Sequence, residues 1–133
     1  MARKSKQTRV SKIPTPEEFK RADEQMAHLY RNLDQVAESF MADFRYICPE
    51  TAHGFYIFAH EDNKFVPLFF FKKEKDTIAS ITDGTRERLI ARLESVLAEN
   101  GRGKPKENLI CVEFDSDENV QRVFKGNYFY RLR

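Results

Sequence analysis

The runs Gly54-Phe55-Tyr56-Ile57-Phe58-Ala59 and Phe65-Val66-Pro67-Leu68-Phe69-Phe70-Phe71, joined by His60-Glu61-Asp62-Asn63-Lys64, decide the fold. Two aromatic, β-favouring stretches around a short polar connection predict a hairpin. Pro67 has no N–H to give a ladder, so the second strand is expected to show an edge or a bulge there. Residues 72–76 read as a polar turn, and Thr77-Ile78-Ala79-Ser80-Ile81 as a third short strand.

Upstream of the hairpin, Thr15-Pro16-Glu17-Glu18 has the form of a capping box with proline at the first helical position. Phe19, Ala22, Met26, Leu29, Leu33, Val36, Phe40 and Phe44 then recur at steps of three and four, which predicts one helix over residues 16–44. Its stripe is expected to lie on a sheet through Phe19, Met26, Leu33, Phe40 and Phe44, although its length also suits a coiled coil. Pro49 ends the pattern.

Downstream, Thr82 or Asp83 is placed to cap a second helix with Leu89, Ile90, Leu93, Val96 and Leu97 on its apolar face, ending at Asn100-Gly101. A basic loop, Gly101-Arg102-Gly103-Lys104-Pro105-Lys106, precedes a strand at Leu109-Ile110-Cys111-Val112-Glu113-Phe114. Residues 120–132 are β-like, as one bulged strand or as a hairpin turning at Gly126-Asn127. The order of elements predicts an α+β fold: the long N-terminal helix and the second helix on one face of an antiparallel sheet of about four to six strands.

The chain has 133 residues, 41% hydrophobic and 12 of them Phe, which suits one core. Arg3, Lys4, Lys6, Arg9 and Lys12 precede the first acidic residue, Glu17; removing their five charges from the net +2 leaves the remainder at −3. Residues 1–14 therefore read as a basic flexible arm and residues 15–133 as a single α+β domain. Such an arm suits phosphate contacts. Cys48 and Cys111 beside apolar neighbours read as buried free thiols, which fits a reducing compartment. No apolar run approaches the roughly 20 residues of a membrane span, and a cytoplasmic location is expected.

The search for chemistry returns little. His53 and His60 are seven residues apart, on opposite faces of an extended strand and separated by roughly 23 Å, so they do not share a metal. No serine occupies a Gly-x-Ser-x-Gly elbow, and neither cysteine has an activating neighbour. Gly101-Arg102-Gly103-Lys104 follows a helix and precedes a strand, the reverse of a phosphate loop. No catalytic, cofactor-binding or metal residue is assigned. The acidic run Glu113, Asp115, Asp117 and Glu118, with Tyr128 and Tyr130 as nearby rings, is the candidate partner-binding surface, suited to a basic partner. Aromatic and basic residues alternate in Tyr128-Phe129-Tyr130-Arg131, which keeps nucleic-acid binding as the alternative.

Residues 29–44, the aromatic hairpin at 55–71, the helix ending in Glu99-Asn100-Gly101 and Val112-Glu113-Phe114-Asp115-Ser116-Asp117 leading into Tyr128 resemble the YezG-like immunity proteins of bacterial polymorphic toxin systems. The resemblance covers about residues 26 to 130. It implies a small cytoplasmic α+β protein that needs no cofactor and that binds a cognate toxin domain and blocks its active site.

Overall fold

A computed structural model describes residues 15–133; the basic arm at 1–14 lies outside the described residues. Helix α1 (Pro16–Leu29) begins as its capping box requires: the Glu18 N–H donates to Thr15 Oγ1 at 3.2 Å, and Glu18 Oε1 accepts from the Thr15 N–H at 2.8 Å. The single helix expected over 16–44 is broken, however. Asn32 adopts a left-handed φ of 59°, and α2 (Leu33–Ile47) starts anew beyond it. Asparagine tolerates that conformation.

Arg102 holds the bend. Its guanidinium donates to the carbonyls of Leu29 (2.6 Å) and Arg31 and to Asn63 Oδ1 (3.2 Å), and it lies 4.8 Å from the centre of the Phe65 ring. The Leu29 carbonyl is one that a helix C-terminus leaves without an intrahelical partner. The apolar stripe therefore divides. Leu33, Val36, Phe40 and Phe44 are buried, whereas Phe19 and Met26 are 56% and 53% exposed and α1 has no buried residue. Periodicity runs through the joint because it records an apolar face without recording what covers it.

The hairpin forms as expected, β1 (Ala52–His60) pairing antiparallel with β2 (Lys64–Phe71). Helix α3 (Glu74–Thr82) occupies the segment read as a third strand, and α4 (Thr85–Glu99) follows it. Asp83 Oδ1 accepts from the Thr85 N–H at 2.9 Å, and α4 buries Leu89, Leu93, Val96 and Leu97 as its spacing predicts. The third strand, β3 (Glu113–Ser116), is short and lies parallel to β2, because the chain crosses over through two helices before returning. Among the described residues the sheet thus has three strands in the order β1-β2-β3, mixed in direction, where four to six antiparallel strands were expected.

The strand expected at 109–114 is interrupted at residues 110–112, opposite Pro67. Phe65 gives its N–H to the Asn108 carbonyl and accepts from the Ile110 N–H, and pairing resumes only at Leu68–Glu113. Three steps along β2 match four along its neighbour. The alternation of strand residues turns the Pro67 nitrogen toward that neighbour, where it has no hydrogen to offer, and Cys111 takes a positive φ of 50° opposite the gap. Cys111 is exposed rather than buried, while Cys48 is buried.

Residues 120–132 form helices α5 (Asp117–Phe124) and α6 (Tyr128–Arg131), not strands. Ser116 Oγ accepts from the Asn119 N–H at 3.0 Å to start α5, and Asn127 Oδ1 accepts from the Tyr130 N–H at 3.2 Å to start α6. Gly126-Asn127 is therefore an interhelical joint, not a hairpin turn.

These two helices cover a second face of the sheet, so helices pack on both faces rather than one. Phe65, Phe69 and Phe71 of β2 meet α2 and α4, with Phe40 at 5.7 Å from Phe69 and Phe44 at 5.5 Å from Phe71. Leu68 and Phe70 point the other way, onto Val120, Phe124, Tyr128 and Leu132. A strand buried on both sides reads as a continuous apolar run, which accounts for Phe69-Phe70-Phe71.

Phe70→Ala and Phe40→Ala should each cost about 3 to 5 kcal/mol in urea denaturation, as truncation of a fully buried ring does. Phe19→Ala, on the exposed stripe, should cost less than about 0.5 kcal/mol.

Candidate functional site

The end of β3 delivers the acidic run onto the second face of the sheet, where α6 folds back to meet it. Arg131 Nε donates to Asp115 Oδ2 at 2.7 Å and its Nη2 to Glu113 Oε1 at 3.0 Å, with the guanidinium 5.6 Å from the centre of the Phe70 ring. The side chains of Arg131 and Asp115 are each only 16% exposed. Asp115 Oδ1 also accepts from the Ser116 N–H and from Asn119 Nδ2.

Asp117, the first residue of α5, accepts through Oδ1 from the Tyr128 hydroxyl at 2.6 Å and from Gln121 Nε2 at 3.3 Å, and His53 Nε2 lies at 3.3 Å from the same oxygen. The Tyr128 ring stacks beside His53 and Tyr56. Glu118 turns elsewhere: its Oε1 accepts from the Glu74 N–H at 2.9 Å, closing the first turn of α3.

Of the six residues assigned from sequence, Glu113 and Asp115 are joined through Arg131, Asp117 and Tyr128 bond to each other in a separate pair, Glu118 caps α3, and Tyr130 stands 58% exposed. The acidic run is thus largely neutralised by Arg131 and by hydroxyl and amide donors. Its chemistry is that of a clamp. The hydrogen bond from Tyr128 holds the Asp117 carboxyl below its usual titration range. Burial, followed by the Asp117 bond, pushes the Tyr128 hydroxyl well above its ordinary value, so it keeps its proton at neutral pH. Burial opposes the charge of Arg131, but the bonds to Asp115 and Glu113 outweigh it and raise its pKa.

What the clamp presents is apolar. Phe129 (66% exposed) and Tyr130 contact each other with ring centres 5.6 Å apart, and Val123 is exposed on α5. Val123, Phe124, Lys125, Asn127 and Tyr130 line a shallow groove there, and the Arg133 guanidinium lies 4.7 Å from the centre of the Phe129 ring. Sequence reasoning missed Val123, and it read Phe129 and Arg131 only as part of an aromatic and basic stretch suited to nucleic acid. The signal it passed over was Ser116-Asp117-Glu118, a helix-start pattern that converts β-favouring residues into a helical face.

A second open groove lies between α1 and the hairpin turn, lined by Arg21, Glu24, Gln25, His28, Leu29 and Glu61. Among the described residues no three His, Cys, Asp or Glu side chains converge as a metal cluster, and no helix is long and apolar enough to cross a membrane. Comparison with protein-family models, curated proteins and solved structures returned no match. Function has to be read from the side chains themselves.

Because the Asp117 carboxyl titrates lower in the folded chain than in the unfolded one, its stabilisation is present above the ordinary value of 3.8 and is lost as pH falls through the lowered one. Asp117→Asn should therefore lower the melting temperature at pH 7, and the difference from the parent should shrink as pH falls below the ordinary value of 3.8, as followed by thermal denaturation across pH.

Proposed function

We propose that the chain is a non-enzymatic binding protein, an immunity protein acting in the bacterial cytoplasm that neutralises a cognate toxin by covering its active site. The observation that carries this reading is the pair of exposed rings, Phe129 and Tyr130, on a helical turn pinned from beneath by Arg131 and Tyr128. Aromatic side chains have few rotatable bonds, and a turn fixed in advance loses little freedom on association, so most of the area they bury is available to affinity. Glu113, half exposed at the rim, adds negative charge that favours approach to a basic active-site cleft. The resemblance to YezG-like immunity proteins supports the same class of partner.

The nucleic-acid alternative draws on the basic arm and on the arginines beside the rings. Arg131 is committed to two carboxylates, and Arg133 lies over the Phe129 ring, which leaves the rings better suited to a protein surface than to a strand of bases.

The test is co-expression with the product of the reading frame immediately upstream of the chain's own. Growth arrest by that product alone, relieved by the chain, is the expected result. Phe129→Ala with Tyr130→Ala should abolish relief while moving the melting temperature by no more than about 2 °C, since both rings are exposed. Full relief by the double variant would move the contact surface elsewhere. Salt-dependent binding of a single-stranded oligonucleotide, lost in the same variant, would replace this reading with the alternative.

A further inference from the structure

The two edges of the sheet are treated differently. On the β3 side, the strand is four residues long and α3 lies against it, the Thr77 hydroxyl donating to the Asp115 carbonyl at 3.1 Å. β1 is nine residues long. Since Phe65 turns its N–H and C=O toward the third strand, alternation turns those of Lys64, Val66 and Leu68 toward β1, where they face His60, Phe58 and Tyr56. The N–H and C=O groups of Phe55, Ile57 and Ala59 consequently point away from the sheet. Among the described residues, none of these six groups has a hydrogen-bond partner.

Exposed edges of this length are normally blunted by charge, by proline or by a covering element. Residues 52–60 contain no Lys, Arg, Asp, Glu or Pro. The one irregularity, the register shift between Ala52 and Gly54, lies at the start of the strand and leaves residues 54–60 in regular pairing.

We propose that this edge pairs with the same edge of a second copy of the chain, antiparallel about a two-fold axis through Ile57, so that two three-stranded sheets become one of six strands. A two-fold interface has to be complementary to itself, and three features of β1 meet that condition. First, the register centred on Ile57 sets Phe55 opposite the second copy's Ala59 and Ile57 opposite its own equivalent, using all six outward groups. Second, on one face these same side chains already border the core formed with α2 and α4, so that core continues across the junction. Third, on the other face Tyr56 comes opposite the second copy's Phe58, an apolar ring 36% exposed in the single chain. Aromatic pairs directly across neighbouring strands are favourable. An uncharged strand brings no like charges together in this arrangement. The pairing does not depend on the toxin-binding reading, whose rings belong to α6.

Sedimentation velocity of the full chain over a range of concentrations should show a species of twice 15.7 kDa. Ala59→Pro removes one outward N–H and no bond to β2, and it should leave the circular dichroism unchanged while shifting the chain to monomer. Phe58→Lys, at an exposed position, should weaken association at least tenfold and decides the matter if the proline variant fails to fold. A parent chain that sediments as a monomer at every concentration overturns the proposal. So does a dimer that survives both substitutions, or one that is lost only when Phe19→Glu and Met26→Lys alter the exposed stripe of α1.

Discussion

The fold depends on the double-sided burial of β2. From Pro67 to Phe71 every residue is buried, with Phe69 and Phe71 on one side and Leu68 and Phe70 on the other. A strand in that position needs a layer over each face, since either face left bare would expose large apolar area at about 25 cal/mol per Å². α2 and α4 supply one layer, and α5 and α6 the other. The C-terminal residues are thus part of the hydrophobic architecture, and the site they build is attached to the most deeply buried strand through Phe70.

Two arginines tie the periphery to this centre by different means. Arg131 is matched by carboxylates, and its planar fork suits two oxygens on neighbouring positions of β3. Arg102 is matched by neutral oxygens alone, two from the backbone and one from an amide, and burial lowers its pKa. Guanidinium keeps its charge even there. Several carbonyl dipoles around it replace the water it gives up, and they do so at the end of α1, where helix carbonyls carry partial negative charge.

Elements whose pattern is local were legible in the sequence. The capping box of α1, the hairpin, the apolar face of α4 and the disturbance at Pro67 each follow from residues within one turn or one strand pair. Misreadings arose where the outcome depends on distant partners. Residues 77–81 have β propensity but lie after Glu74 and Asp76 in a segment that must cross over the sheet to return parallel, and a crossover favours helix. Residues 120–132 are rich in β-branched and aromatic types, yet the Ser116 cap and the demand of Phe70 for a cover outweigh propensity. The acidic run was recognised as a feature, but its neutralisation by Arg131 joins positions 16 and 18 residues apart. No local spacing rule reports such a contact.

The Arg102 joint also has a mechanical meaning. α1 buries none of its residues and is gripped near one end, so it acts as a lever whose fulcrum is the loop that carries Arg102. Fourteen residues at 1.5 Å each give an arm of about 21 Å, and a tilt of about 10° at the bend sweeps its far end through about 4 Å. Small adjustments in the loop are therefore magnified at Thr15, and the direction of α1 is set from residue 102, more than eighty positions from its first turn.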